Sequence, residues 1–124
     1  MIIRAKSDVK AVEWGNGLSY RFLVQPDAMG FTLTHTIVRA GSKSMLQYTR
    51  HLEACYCIAG SGQVVAADGG ESYTIEPGVL YALDQHEAHY LIADPERDLE
   101  LVCVFNPPLR GDEVHNLDQG FSNY

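Results

Sequence analysis

Phe31-Thr32-Leu33-Thr34-His35-Thr36-Ile37 alternates with a period of two, which places Phe31, Leu33, His35 and Ile37 on one face of a β-strand. Shorter β-rich runs continue from it at residues 53–58, 62–66, 71–75, 79–83, 89–93 and 99–105, with 20–24 ahead of it. Turn residues separate them: Asp27, Gly30, Gly41-Ser42, Gly60-Ser61-Gly62, Asp68-Gly69-Gly70, Pro77-Gly78 and Asp94-Pro95. No long stretch repeats apolar residues at i, i+3, i+4 and i+7, so helices are not expected. Many short strands at this spacing predict an all-β sandwich or barrel, with 1–124 forming a single domain. After Pro107-Pro108 the tail reads as loop. A barrel this small fills its interior with side chains except where polar groups converge on a pocket. The polar residues that turn inward therefore decide the function.

Composition narrows the classes. The chain has 124 residues, 9 Lys+Arg against 16 Asp+Glu, and a net charge of −7. That balance argues against nucleic-acid binding through a basic patch. An apolar fraction of 46% suits a folded domain. No apolar run approaches the roughly 18 residues of a membrane span. Met1-Ile2-Ile3-Arg4-Ala5-Lys6 lacks the apolar stretch of a signal peptide. Cys55 and Cys57 are two apart and point the same way on a strand, so a mutual disulfide is not expected. These features predict a reduced, cytoplasmic protein.

One segment carries a motif. Gly41-Ser42-Lys43-Ser44-Met45-Leu46-Gln47-Tyr48-Thr49-Arg50-His51-Leu52-Glu53, closed by Gly60, reproduces the frame G(X)5HXH(X)3E(X)6G. Gln47 and Thr49 stand in the two histidine places, and Glu53 keeps the carboxylate. Gly78-Val79-Leu80-Tyr81 fits a second Gly-x-x-His core, with Tyr81 in the histidine's place. This frame resembles the cupins, double-stranded β-sandwich barrels of jelly-roll type.

Longer blocks resemble a narrower family. They are His51-Leu52-Glu53-Ala54 with Tyr56-Cys57-Ile58 and Gly60; Tyr81-Ala82-Leu83-Asp84-Gln85-His86-Glu87-Ala88-His89-Tyr90-Leu91; and Leu101-Val102-Cys103-Val104-Phe105-Asn106-Pro107-Pro108-Leu109, running on to Gly111, Glu113, Val114 and His115. With Met29-Gly30-Phe31 they resemble ectoine synthase in one register. The resemblance implies a homodimeric hydro-lyase that cyclises the small molecule N-γ-acetyl-L-2,4-diaminobutyrate to the compatible solute ectoine, made under osmotic stress. It implies iron held by Glu53, Tyr81 and His89. It also implies substrate contacts at Arg21, Thr36, Tyr48, Cys103, Phe105, Glu113 and His115, with Tyr48, Glu113 and His115 catalytic.

These residue types suit the implied chemistry. Carboxylate, phenolate and imidazole form a hard-to-borderline donor set for Fe(II), with Zn(II) or Mn(II) as alternatives. Arg21 offers a planar fork to a carboxylate. Phe105 offers an apolar wall. Glu113 and His115 offer a base and an acid between them, in either assignment.

Some positions depart from the family. Gly17 stands where it usually has Trp, with Trp14 three residues earlier. Met45-Leu46-Gln47 replaces a histidine-containing stretch, and Arg110 replaces a Thr. They keep open a related cupin with another N-acylated amino-acid substrate, or a non-catalytic solute-binding cupin. For the remaining side chains, His35 is expected as a hydrogen-bonded core residue and His86 as exposed. His51 is expected either to orient the motif loop or to lie at the surface. Cys55 and Cys57 are expected as buried small residues.

Overall fold

The computed structural model describes residues 1–113 and 122–123. Its strands are β1 (Ala11–Glu13), β2 (Gly17–Leu23), β3 (Thr32–Val38), β4 (Lys43–Gln47), β5 (Leu52–Ala59), β6 (Gly62–Ala66), β7 (Ser72–Ile75), β8 (Leu80–Leu83), β9 (His89–Ala93), β10 (Leu99–Asn106) and β11 (Ser122–Asn123). They form a six-stranded sheet in the order β1-β2-β3-β10-β5-β8 and a five-stranded sheet in the order β11-β4-β9-β6-β7. This is the expected all-β cupin architecture. The described helical turns are 3-10, Lys6–Asp8 and Gln25–Asp27, and no described helix is long and apolar enough to cross a membrane.

Alternation sets the interior. On β10, Leu99, Leu101, Cys103 and Phe105 are buried while Glu100, Val102 and Val104 are only half-buried. The inner residues join Val38, Leu46, Ile75 and Leu91 in a core between the sheets.

Three expectations need correction. On β3 the alternation holds, but the inner residues are Thr32 and Thr34, both fully buried. Phe31, Leu33, His35 and Ile37 lie half-buried on the other face. His35 is hydrogen-bonded, as expected, but to Glu100 on the sheet's outer face (Nε2 to Oε1, 2.9 Å). The threonines can turn inward because their hydroxyls find partners: Thr34 Oγ1 meets Thr36 Oγ1 at 2.8 Å, and Thr32 Oγ1 accepts from the Leu109 amide at 2.8 Å. Secondly, β4 was not expected as a strand, because it buries a serine, Ser44, and leaves Met45 half-buried. Thirdly, the tail is not all loop: Ser122 and Asn123 pair in parallel with Leu46 and Gln47.

Two glycines are fixed by close approach. At Gly60, which closes the motif frame, φ is +75° and a Cβ would stand 2.1 Å from the Asp98 carbonyl oxygen. At Gly17 a Cβ would stand 1.7 Å from the Ile37 carbonyl oxygen and 3.0 Å from Trp14 Nε1. That same indole nitrogen donates to the Ile37 carbonyl at 3.2 Å. Trp14 thus packs over Gly17 and is 4% exposed. Gly17→Ala is expected to destabilise the fold by about 1–3 kcal/mol through overpacking, read as a lowered denaturation midpoint.

Candidate metal centre and active site

Strand register gathers the candidate residues. On β10, Phe105 lies opposite Glu53 of β5, and Cys103 lies opposite Cys55. On the other side of β5, Cys55 lies opposite Tyr81 of β8. Residues of matching parity share a face, so Glu53, Cys55, Tyr81, Cys103 and Phe105 all turn inward. Ser19 pairs with Thr36 and extends this face across β2 and β3. These side chains, with Trp14, Leu46, Tyr48, Leu91 and Leu101, line a cavity of about 30 Å³. That is room for an ion or a little water.

Of the residues expected at the site, Thr36, Tyr48, Glu53, Tyr81, Cys103 and Phe105 line this cavity. Tyr48 packs edge-on against Phe105, with ring centroids 5.2 Å apart. His89 enters from β9 in the opposite sheet, and its ring centroid lies 6.4 Å from those of Tyr48 and Tyr81. Gln47 and Thr49 do not line the cavity; Tyr48 between them does. Gln47 instead donates its side-chain amide to the His86 carbonyl at 2.9 Å.

Arg21 sits at the rim. Its Nε lies 3.4 Å from Ser19 Oγ, and Ser19 lines the cavity. Its other face lines a groove of about 370 Å³ with Lys10, Val24, Arg110, Gly111 and Asp112. The guanidinium donates to the Glu113 carbonyl and stands 3.5 Å from the Glu113 carboxylate. That carboxylate also accepts from the Arg110 and Gly111 amides at 2.8 and 2.9 Å. Partial burial opposes ionisation of Glu113, but the backbone amides and Arg21 outweigh it and hold the pKa low. His115, the remaining expected residue, lies outside the described residues.

Burial governs the charges inside. Glu53 is 6% exposed. Its pKa is pushed up to about 8 by desolvation, against the hydrogen bonds of the Cys55 and Cys103 thiols. Desolvation also pushes up the Tyr81 phenol, reinforced by Cys55 and Glu53, and the Cys55 thiol. At neutral pH the metal-free cavity is therefore lined by uncharged acids. Burial lowers the His89 pKa, so its imidazole is neutral. His89 Nδ1 faces the Glu87 carbonyl at 3.1 Å and so carries the proton. Nε2 is then a lone-pair donor, and it is buried with no hydrogen-bond partner among the described residues.

An orphaned imidazole nitrogen next to the Tyr81 ring, which lines the cavity with the Glu53 carboxyl, fits a divalent cation. The cation would ionise the acids and occupy the lone pair, relieving the cost of burying them unpaired.

Other side chains hold this arrangement, and the sequence reading underused them. His51 Nδ1 meets the Pro107 carbonyl at 2.7 Å, tying the motif loop to the end of β10. His86 is exposed, as expected. Its Nδ1 nevertheless lies 2.8 and 3.1 Å from the carbonyls of Tyr48 and His51. Trp14 fills a wall of the cavity from a position that register assigned to Gly17. The glycine was the available signal: it leaves space that a nearby large aromatic can take. All three cysteines are free and buried.

The raised Glu53 pKa has a direct consequence. Between pH 4.5 and about 8 the folded metal-free chain holds a proton on Glu53 that the unfolded chain releases. Stability should therefore fall as pH rises through that window, with the loss complete above about 8. Glu53→Gln should flatten this dependence, as read by denaturant unfolding at a series of pH values.

Comparisons with known proteins agree with the geometry. A sequence profile of the ectoine synthase family matches residues 1–123. An L-ectoine synthase from Wolinella succinogenes is 43% identical over 122 residues, covering 94% of this chain and 92% of the relative. One from Desulfatibacillum aliphaticivorans is 47% identical over 120 residues, covering 97% and 90%. The crystal structure of ectoine synthase from P. lautus superimposes with a TM-score of 0.83 at 42% identity, over 90% of this chain and 81% of that one. The polyketide cyclase RemF, at 22% identity and a TM-score of 0.72, shares the fold. With residues 1–123 matched by the family profile and curated relatives at more than 40% identity over nearly its whole length, the chain belongs to the ectoine synthase family.

Proposed function

We propose that this protein is an ectoine synthase, one cupin domain over 1–124. It closes N-γ-acetyl-L-2,4-diaminobutyrate into ectoine with loss of water. The observation that carries this reading is the convergence of Thr36, Tyr48, Glu53, Tyr81, Cys103 and Phe105 on one buried cavity, with the unpartnered His89 Nε2 beside it.

Glu53, Tyr81 and His89 are the proposed holders of Fe(II), with Zn(II) or Mn(II) able to use the same donors. A bound dication supplies Lewis acidity toward an amide carbonyl and leaves positions open for substrate. In the reaction the α-amine nitrogen bonds to the acetyl carbonyl carbon. The carbonyl oxygen leaves as water, taking the two protons that the amine loses.

The protein's own groups arrange this step. Arg21 receives the substrate carboxylate in exchange for its contacts to Glu113, which brings the rim groove and the cavity together. Phe105 and Tyr48 wall the acetyl group and exclude water. Thr36 and Cys103 contact the substrate from the six-stranded sheet. Fixing both ends of one molecule supplies the near-attack geometry. Once Arg21 turns to the substrate carboxylate, Glu113 loses the guanidinium that lowers its pKa, becomes the stronger base, and takes the role of keeping the α-amine neutral. The proton-donor role then falls to His115.

A homodimer is proposed through the N-terminal edge, where β1 closes the six-stranded sheet. Three free thiols suit the proposed cytoplasmic location.

Anaerobic turnover followed by NMR should give ectoine only with added Fe(II). Glu53→Ala, Tyr81→Phe and His89→Ala should each lower the rate by more than about 100-fold, beyond the cost of losing a group that only orients a ligand. Iron-independent product, or full activity in Glu53→Ala, would contradict the reading. In solution the chain should elute as a dimer, and a monomer's volume would contradict that part.

A further inference from the structure

The inner face carries a second donor set that shares only Glu53 with the proposed iron site. Cys55 of β5 stands directly opposite Cys103 of β10. A Glu53 carboxylate oxygen and the two Sγ atoms all lie within 4.8 Å of one another. The three residues are 6%, 1% and 2% exposed. Donors on one tetrahedral zinc stand roughly 3.5–4 Å apart, so small side-chain rotations would close this set on an ion. All three side chains line the same cavity of about 30 Å³, which has room for it. The third thiol is turned elsewhere: Cys57 Sγ donates toward the Ala59 carbonyl at 3.5 Å and the Gly60 carbonyl at 3.9 Å.

The geometry points to a thiophilic-metal site in which Glu53, Cys55 and Cys103 hold a soft divalent cation, Zn(II) or Cd(II). Two thiolates make this set softer than carboxylate, phenolate and imidazole, so it favours softer ions. Binding displaces the protons of both thiols and of the carboxyl into solvent. The two sets share Glu53, so an ion held by the cysteines withholds that carboxylate from Tyr81 and His89. The site requires only these three side chains, so it stands whether or not the proposed reaction takes place.

Cd(II) titrated into the reduced, metal-free protein tests it. A thiolate-to-cadmium charge-transfer band in the ultraviolet should saturate at one ion per chain. Cys57→Ser should keep the band, whereas Cys55→Ser and Cys103→Ser should each lose at least half of it. A band unchanged in both variants, or stoichiometric binding with no band, would overturn the site. Cadmium NMR of the wild-type complex needs no variant. A shift in the sulfur-ligated range supports the site, and one in the range of oxygen and nitrogen ligands overturns it. Neither readout depends on turnover, so failure here is distinct from failure of the proposed reaction.

Discussion

Everything at this centre depends on a carboxyl group buried inside an apolar barrel. Glu53 faces inward because it shares strand parity with Cys55 and Cys57, and its partners across the sheet are Phe105 and Leu83. A carboxylate there without a counter-charge is costly. The metal-free fold answers by keeping the group protonated to about pH 8 and surrounding it with weak S–H donors. The metal-free cavity is thus neutral near pH 7. The same burial leaves His89 uncharged, so the opposite sheet contributes a lone pair rather than a competing positive charge.

The fold separates this interior from a charged rim. Arg21 is the hinge between them, touching Ser19 on the cavity side and Glu113 on the groove side. Glu113 is the reverse of Glu53: backbone amides and a guanidinium outweigh its partial burial and hold it ionised. In the metal-free protein the two glutamates therefore stand on opposite sides of neutrality, and the division has a local cause. It follows from which backbone donors each carboxyl can reach, not from the residue type.

Much of this was legible in the sequence. The alternation and turn spacing gave an all-β barrel, and the glycine frame marked Glu53 and Tyr81, two of the side chains that line the cavity. What escaped it was face and context. On β3 the apolar residues Leu33 and Ile37 look like the core, yet the threonines hold that place. Period-two patterning assigns residues to the same face without saying which face is inside. Nor does it show that Thr32 and Thr34 will find hydroxyl and amide partners there. Trp14 was displaced in register from the position where an aromatic was expected, and only packing over Gly17 shows that the indole reaches the cavity. Cys55 reads as a small buried residue, and its closeness to Cys103 and Glu53 appears only once β5 and β10 are paired.

The central claim is that a cation sits inside the barrel between the two sheets. Crystals of the iron-loaded protein, grown without oxygen and measured across the iron absorption edge, address it most directly. The account predicts one anomalous peak in the cavity, within bonding distance of Glu53, Tyr81 and His89. A fully loaded crystal whose iron lies only among surface carboxylates, with His89 Nε2 still unpartnered, would contradict it.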